Sequence, residues 1–424
     1  VERHRMGGDC LNVGCVPSKA LLAHSKQIHS NFDAAFSWLR EVRASIAPHD
    51  SVARYTAAGV DVFLGDGHFN DDGQICVGDL ALNARRIALC TGARAAVPDI
   101  PGLKASNPLT NETVFDLTER PKSLAILGAG AIGCELALVF ARLGTKVVLF
   151  ELADRVLPLE MAEGSAGVAA ALKDAGVALH LGQGVERVDE SGGVHTAATS
   201  VHAEKILVAL GRTPNTESLN CSKAGVTLDA RGFIQTNAKL QSTNQKVFAA
   251  GDCTARLQFT HHADAQARAL IQNALFLATA KIDGLVVPRC TYTDPEVASV
   301  GMLGEELTAQ GVAFDTFAVD LGELDRMKAD PRTRHQTGNI ARVFTQKGSD
   351  KILGASVVGA DAGELIAPIC VMMSNKLGLS AAQKTLFSYP TRSEYLKRLG
   401  DAYNKGRMTP LVARLFDFWL RRTL

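Results

Sequence analysis

The feature that most constrains this chain is a glycine-rich segment between two apolar runs. The stretch SLAILGAGAIGCELALVFARLGTKVVLFE, residues 123–151, has the pattern of a strand, a tight turn, a helix and a second strand. Gly128, Gly130 and Gly133 occupy the turn, and Glu151 stands 23 positions after Gly128. The segment is therefore predicted to form one βαβ unit of a parallel sheet.

This unit has the spacing of a dinucleotide-binding fingerprint. Glycines at these positions let the backbone approach a pyrophosphate at a helix N-terminus, and the acid binds ribose hydroxyls. A glutamate repels a 2′-phosphate, so Glu151 favours NAD(H) over NADP(H). The alternative, a glycine-rich turn that binds no ligand, is disfavoured by the flanking strand and helix.

Two further stretches look like distant copies of each other. They are RRIALCTGARAAVPDIPG, residues 85–102, and EKILVALGRTPNTESL, residues 204–219, and each is an apolar strand that ends at Gly, Arg and then Pro. The duplication predicts two nucleotide-binding domains of similar design, the second inserted into the first. Gly211, in the second copy, is assigned to the NAD site.

Composition excludes several classes of protein. The chain has 424 residues, 46% of them hydrophobic, and a net charge of +1, which gives no reason to expect nucleic-acid binding. Nine cysteines are too few for a secreted disulfide scaffold, and no paired motif predicts a metal site. We therefore expect a cytoplasmic protein that acts on small molecules and has no metal.

Two cysteines in GGDCLNVGCVPSK, residues 7–19, are candidates for chemistry. Cys10 and Cys15 are too irregularly spaced for a zinc pair and too close for a loop-closing disulfide, so a redox dithiol is favoured. A thiol with a pKa of about 8.5 needs a cation or a helix N-terminus to become reactive. Lys19 and a helix beginning near Cys15 provide both. The alternative is two buried cysteines that never meet.

Six motifs in order make the chain resemble the flavin-dependent pyridine nucleotide-disulfide oxidoreductases. This family includes lipoamide dehydrogenase, glutathione reductase and mercuric reductase, and the resemblance extends from residue 2 to about residue 404. The branch that contains mercuric reductase and dihydrolipoamide dehydrogenase is the most similar. The motifs are GGDCLNVGCVPSK, CTGAR, GAGAIGCE, LGRTPN, VFAAGDC and YPTRSE.

The resemblance implies roles for the dithiol and its neighbours. Cys15 is expected to be the charge-transfer thiol against the flavin, and Cys10 the interchange thiol that meets the substrate. Lys19 is expected near flavin N5, paired with Glu135.

The resemblance also implies FAD as a cofactor. Asp252 is expected to bind the ribityl chain, although an aspartate after a glycine can also simply form a turn. Thr91, Gly92 and Gly8 are expected beside the flavin nucleotide, and Glu2 has the place of the acid that binds the FAD ribose. The strand and GxGxxG that should precede Glu2 by about 20 residues are absent, so the chain looks N-terminally truncated.

Two departures from the family pattern concern the acceptor side. Tyr389 stands where most members have a His acid/base, as in mercuric reductases. Glu394 has the place of the acid that orients that His, and either accepts from the phenol or caps the helix starting there. Mercuric reductases end in a vicinal cysteine pair, whereas the last cysteine here is Cys370, which disfavours mercury reduction.

The predicted fold class is α/β, with two Rossmann-like domains and a C-terminal α+β dimerisation domain. The tail carries an apolar helical face, expected to dock on its own domain or the dimer partner rather than on a membrane. The predicted boundaries are 1–118 with 240–286 for FAD binding, 119–239 for NAD(P) binding, 287–405 for dimerisation and 406–424 for the tail helix.

The remaining cysteines and a histidine pair have simpler interpretations. His261 and His262 follow QFT and are expected to line the flavin cavity. The other cysteines are expected to be packed rather than reactive: Cys76, Cys90, Cys134, Cys221, Cys253, Cys290 and Cys370.

These observations predict a homodimeric enzyme with an active site shared across the dimer interface. It would move electrons between NAD(P)H, FAD, a Cys10–Cys15 redox disulfide and a small disulfide, dithiol or other electrophile. The alternatives are a mercuric or other metal-ion reductase, and a non-catalytic nucleotide-binding fragment.

Overall fold

The chain forms two compact units that alternate along the sequence. A computed structural model describes residues 1–333, 338–408 and 410–423. Unit 1 comprises Val1–Asp154 and Leu172–Leu285, and unit 2 comprises Arg155–Ala171 and Val286–Leu424.

The helices are distributed over both units. In chain order they are α1 (Gly8–Asn12), α2 (Cys15–Ser25), α3 (Phe32–Ile46), α4 (Val52–Ala57), α5 (Asn111–Val114), α6 (Ala131–Arg142), α7 (Ala162–Asp174), α8 (Thr260–Leu275), α9 (Gly304–Ala309), α10 (Asp325–Ala329), α11 (Ala362–Leu365), α12 (Ala367–Ser374), α13 (Ser380–Lys384), α14 (Glu394–Gly406) and α15 (Pro410–Thr423).

The strands are mostly short. In chain order they are β1 (Gly67–Phe69), β2 (Ile75–Val77), β3 (Leu80–Leu82), β4 (Ile87–Leu89), β5 (Ala93–Ala95), β6 (Ser123–Leu127), β7 (Lys146–Phe150), β8 (Ala178–His180), β9 (Val185–Val188), β10 (Gly193–Thr196), β11 (Ser200–His202), β12 (Lys205–Val208), β13 (Arg212–Pro214), β14 (Val247–Ala249), β15 (Pro288–Thr291), β16 (Glu296–Gly301), β17 (Phe314–Asp320), β18 (Ile340–Gln346) and β19 (Ile352–Gly359).

A four-stranded parallel sheet in unit 1 confirms the predicted βαβ unit. Its order is β12-β6-β7-β8, and Leu127 of β6 pairs with Phe150 on one side and Val208 on the other. Strands β6, β7 and β12 are mostly buried, as expected where both faces of a parallel sheet are covered, and the edge strand β8 is partly exposed. Helix α6 follows the glycine turn and buries a continuous run from Gly133 to Phe140. This run positions the helix N-terminus at the carboxyl end of β6.

The two duplicated stretches meet in unit 1. Strand β4 pairs in parallel with β14, and β5 pairs antiparallel with β13. Leu219, Val226 and Ile234 share a hydrophobic cluster with Leu89 of β4 and Ala249 of β14. The predicted domain boundaries separate these residues, because this stretch carries no long strand or helix to indicate its packing. The boundaries themselves stay a prediction.

Unit 2 is built on an antiparallel sheet, within the region 287–405 for which the sequence predicts an α+β domain. Its order is β15-β16-β19-β18-β17. Helix α14 contributes Tyr395, Leu396 and Leu399 to the core beside the sheet, and all three are nearly inaccessible to solvent. The Tyr395 hydroxyl donates a hydrogen bond to the Leu365 carbonyl oxygen, at a distance of 2.5 Å, which satisfies the buried phenol.

The segment Arg155–Ala171 belongs to unit 2 because of a buried carboxylate. Glu160 is 8% exposed and accepts hydrogen bonds from Arg289 Nε at 2.6 Å and from the Ser299 hydroxyl at 2.6 Å. The sequence gives no signal for this contact, since Arg289 is 129 positions away.

The tail helix α15 has no buried residue among those described. In the single chain its apolar side chains are exposed and do not dock on its own domain, and the other expectation, docking on the dimer partner, stays a prediction. Thr409 and Leu424, within the predicted tail, lie outside the described residues. Across the ranges that the structure covers, each helix is too short or too polar to cross a membrane.

The buried and exposed ion pairs of this segment should differ in their contribution to stability. Glu160→Ala leaves Arg289 and Ser299 without their buried acceptor, and we expect it to lower the free energy of unfolding by about 3 kcal/mol. The matched variant Glu305→Ala breaks the pair with Arg155, in which Glu305 is 67% exposed, and should cost less than about 1 kcal/mol. Urea unfolding measures both, and equal losses would contradict the prediction.

Candidate active site

The two cysteines of the N-terminal motif are disulfide-bonded, across a sequence separation of five. Cys10 lies in the short helix α1, and Cys15 is the first residue of the 11-residue helix α2. Gly14, before α2, makes no side-chain cap, and a cysteine of the disulfide is the first residue of the helix. The partial positive charge at this end favours a thiolate over a thiol at Cys15.

Thr260 contacts both sulfurs of the disulfide. Its Oγ1 lies 2.6 Å from Cys10 Sγ and 3.7 Å from Cys15 Sγ. A disulfide sulfur carries no hydrogen, so the Thr260 hydroxyl is the donor. Thr260 is the first residue of α8 and lies 250 positions from Cys10, and the sequence analysis missed it for that reason.

The expected pair of Lys19 and Glu135 is present. Lys19 Nζ donates to Glu135 Oε2 at 2.7 Å, and the Glu135 side chain is 4% exposed. Lys19 lies one turn after Cys15 on α2, and Glu135 lies in the first half of α6. The pair therefore ties the helix that carries Cys15 to the helix that follows the glycine turn.

A second charged cluster surrounds Arg212. Its guanidinium contacts the Asp9 carboxylate and the Ala93 carbonyl, and its Nε lies 3.3 Å from Asp252 Oδ2. Burial raises the pKa of the Asp252 carboxyl above its ordinary value, while the charge of Arg212 opposes the rise. Arg212 stands in the motif LGRTPN, and only the fold shows that it joins Asp9, beside Cys10, to Asp252.

The residues assigned to FAD fit a flavin nucleotide. Asp252 follows β14, and Thr91 and Gly92 follow β4, its parallel neighbour. The carboxyl ends of parallel strands meet at one sheet edge, where nucleotides bind in folds of this type. Asn215 holds this edge, because its side-chain amide donates to the Thr91 carbonyl at 3.0 Å.

Two other residues assigned to FAD lie near the start of the chain. Glu2 forms a parallel bridge with Leu64, and its carboxylate accepts from the His4 amide at 2.9 Å. Gly8 has a φ of +60°, a left-handed conformation that favours glycine.

Of the three glycines of the turn, only Gly130 has open space where its Cβ would be. A Cβ on Gly133 would lie 1.9 Å from the Gly128 carbonyl oxygen, whereas a Cβ on Gly130 would meet no atom within 4 Å. Glu151 Oε2 accepts from the Ala129 amide at 2.7 Å, which places the carboxylate beside this turn. Gly211 has a φ of +115° and open space around its Cα.

The remaining histidines and cysteines differ in exposure. His262 is buried and its Nδ1 lies 2.8 Å from the Leu257 carbonyl, while His261 stacks on Phe259. Cys134, Cys221 and Cys253 are buried as predicted, and burial raises the pKa of Cys253 to about 12. Cys90 is exposed, against the prediction, because β4 ends one residue before it. Cys76, Cys290 and Cys370 are half-buried.

Tyr389 binds a carboxylate that the sequence analysis did not identify. Its hydroxyl donates to Asp325 Oδ2 at 2.6 Å, and this bond raises the pKa of the phenol. Glu394 neither accepts from the phenol nor caps α14. Arg398, one turn along the same helix, donates to the Glu394 carboxylate at 3.0 Å and holds it there.

In the ranges that the structure describes, no three His, Cys, Asp or Glu side chains converge as ligands for a metal ion. The expectation that the protein holds no metal stays a prediction.

Family models match nearly the whole chain. Residues 1–267 match the pyridine nucleotide-disulphide oxidoreductases, and residues 287–399 match the dimerisation domain of the same group. The chain is 30% identical to mercuric reductase of Staphylococcus aureus over 96% of this chain and 78% of the relative. It is also 30% identical to the oxidoreductase RclA of Escherichia coli, over 93% and 90% of the two chains.

Solved structures show the same architecture. The chain superposes on the Cu(II) complex of the HOCl-induced flavoprotein disulfide reductase RclA from Escherichia coli with a TM-score of 0.85 and 28% identity. The match covers 94% of this chain and 93% of that one. LpdA from Mycobacterium tuberculosis, at 23% identity and a TM-score of 0.82, covers 94% and 92% and shows the same fold.

The geometry of the glycine turn makes a specific prediction. Gly130 has ordinary extended backbone angles and open space, so Gly130→Ala should leave the melting temperature unchanged. The added methyl should occupy the space into which a pyrophosphate fits, and we expect about a hundredfold loss in kcat/KM for NADH. Gly133→Ala, which clashes with backbone, should lower the melting temperature. An unchanged kcat/KM in Gly130→Ala would contradict the assignment.

Proposed function

The chain belongs to the pyridine nucleotide-disulphide oxidoreductases, FAD-dependent enzymes that act on sulfur groups, and we propose that it uses NADH to reduce a small-molecule disulfide. One observation carries the proposal. The Cys10–Cys15 disulfide lies at the N-terminus of α2 and within hydrogen-bond distance of the Thr260 hydroxyl, and Cys15 is exposed.

The residues around the disulfide suit each step of such a reduction. Asp252, Thr91 and Gly92 would hold FAD, which would supply the relay that takes a hydride from nicotinamide and delivers an electron pair to the disulfide. Two electrons and a proton open the bond, and the N-terminus of α2 stabilises the Cys15 thiolate.

The two thiols then react in sequence with the substrate. Cys10 gives up the proton that it gained on reduction and attacks one sulfur of the substrate disulfide as a thiolate, which forms a mixed disulfide and releases one substrate thiolate that takes up this proton. The Cys15 thiolate attacks Cys10 Sγ, which restores the Cys10–Cys15 bond and releases the second substrate thiolate, protonated by solvent. Thr260 can donate to either sulfur during this exchange, because it lies within reach of both.

Glu151 supports NADH rather than NADPH as the donor. Its carboxylate lies at the glycine turn, where it can accept from ribose hydroxyls and repels a 2′-phosphate. Arg155, four positions later, is the cation in the sequence best placed to reverse this preference. Its guanidinium instead makes two contacts with Glu305, at 3.0 and 2.7 Å.

The dimerisation domain indicates a homodimer, and the acceptor half of the proposal depends on it. By resemblance, Tyr389 faces the partner subunit's dithiol. Its only hydroxyl hydrogen is donated to Asp325, so its oxygen presents lone pairs to an approaching thiol. Asp325 thus has the orienting role that the sequence assigned to Glu394.

Metal-ion reduction is the second candidate. Similarity to mercuric reductases and the presence of Tyr389 favour it. Steady-state rates of NADH oxidation with Hg(II) and with small disulfides distinguish the two. We also propose a cytoplasmic location, on the basis of the cysteine content.

The assignment of the two thiols is tested by reduction with two electrons. The native protein with FAD should develop a long-wavelength absorbance band between the Cys15 thiolate and the flavin. Cys15→Ser should abolish the band, whereas Cys10→Ser should keep it because the charge-transfer thiol survives. Disulfide reductase activity in both variants would show the assignment to be wrong, and a protein that binds nucleotides without reducing any disulfide would support the non-catalytic alternative.

Cofactor preference is tested at Glu151. The native enzyme should favour NADH over NADPH by at least about tenfold in kcat/KM, because the carboxylate repels the 2′-phosphate. Glu151→Ala should reduce this ratio, while Glu186→Ala, which removes an exposed carboxylate of unit 1 in β9, serves as the matched control and should leave it unchanged. A strong preference of the native enzyme for NADPH would be incompatible with the proposal.

Tyr389 and Asp325 are tested by following the two half-reactions separately with stopped-flow spectroscopy. Tyr389→Phe should slow re-oxidation by the disulfide by about tenfold or more and leave flavin reduction by NADH unchanged. Asp325→Asn should act in the same direction, because it removes the charge that holds the phenol, and Glu394→Gln should have little effect. Equal losses in both half-reactions would remove Tyr389 from the mechanism.

A further inference from the structure

Helix α15 at the end of the chain presents an apolar surface that nothing in the described structure covers. The preceding helix, α14, buries Tyr395, Leu396 and Leu399, whereas α15 buries none of its residues. Its large apolar side chains are between 44% and 68% exposed: Leu411, Leu415, Phe416, Phe418, Trp419 and Leu420. A contiguous surface of this size marks an interaction site.

Three of the charged residues of α15 lie along one strip. At 100° per residue, Arg414, Asp417 and Arg421 fall on one side of the helix, and the apolar side chains occupy most of the remainder together with Arg422, which lies near the C-terminal end of the helix. Arg421 pairs with Asp417 at 3.0 Å, and the Arg422 guanidinium lies over the Phe418 ring at 4.3 Å from its centroid. With three arginines and one aspartate, the helix has a net charge of +2 (3 − 1).

We propose that α15 lies in the plane of an anionic lipid surface. Its pattern is that of an interfacial helix, with Arg on a polar strip and Trp, Phe and Leu on the opposite face. At about 1.5 Å per residue the 14 residues from Pro410 to Thr423 extend about 21 Å, which is shorter than a bilayer core of about 30 Å, so this segment suits a position along the membrane surface.

Charge complementarity favours lipid over a second copy of the helix. A second α15 carries the same net charge of +2, so pairing the two apolar faces brings like charges together. Lipid phosphates are negative, and each arginine near an anionic surface gains about 1 kcal/mol by the attraction. Tryptophan and phenylalanine are also the side chains that prefer the boundary between headgroups and acyl chains. The inference does not depend on the redox activity of the protein.

The test is flotation of the full chain with bound FAD on vesicles. It should bind vesicles of phosphatidylcholine and phosphatidylglycerol in a 7:3 ratio, and bind pure phosphatidylcholine more weakly. Arg414→Gln and Arg422→Gln should each lower the partition coefficient about fivefold, while Arg85→Gln, an exposed arginine in unit 1, should leave it unchanged. The double variant Leu415→Ser, Trp419→Ser should abolish binding. Flavin content and melting temperature confirm that the variants are folded.

Tryptophan emission gives an independent readout. The chain has two tryptophans, and in a Trp38→Phe background the emission of Trp419 should shift to shorter wavelength only with anionic vesicles. Absence of binding by the native chain would overturn the proposal, as would equal binding to both vesicle types. The native chain could instead fail to bind vesicles while the double variant is a monomer and the native chain a dimer in light scattering. In that case the helix packs against a second copy of the chain, and the proposal is wrong.

Discussion

The ion pair between Lys19 and Glu135 connects the two kinds of chemistry in this protein. Glu135 is almost completely buried, so removal of the ammonium group would take an ion-pair partner from a carboxylate in the interior. One partner lies on the helix that begins at Cys15, and the other on the helix that begins at the glycine turn. A single interaction therefore fixes the dithiol helix to the dinucleotide helix.

Electrostatics around the disulfide come mostly from backbone and from distant parts of the chain. Helix α2 begins at Cys15, which forms the disulfide, and helix α8 begins at Thr260, which contacts it. Arg212 adds a guanidinium that contacts both Asp9, the residue before Cys10, and Asp252. Such an arrangement can stabilise a thiolate without a charged side chain bonded to either sulfur.

Around Tyr389, the position of a residue in the fold, rather than in the sequence, decides its role. Glu394 has the sequence position of an orienting acid, but on a helix a residue four positions away is a neighbour, and Arg398 takes its carboxylate. Asp325, 64 positions before Tyr389, comes close enough to bind the phenol. A phenol that donates its hydrogen to a carboxylate presents the lone pairs of its oxygen to the substrate. Such an oxygen can contact a thiol or a soft electrophile, but it is poorly suited to act as a general base.

The sequence alone determined the parts of this protein that depend on local spacing. The βαβ unit, the helix at Cys15, the antiparallel third region and the residues of the dithiol follow from periodicity and from motifs, because glycine, proline and apolar patterns act over a few residues. The tertiary structure decided the contacts of Thr260, Arg212, Asp325 and Glu160, and the exposure of α15. Each of these depends on which distant segments pack together, and buried polar groups find their partners by proximity in space, which spacing along the chain does not encode.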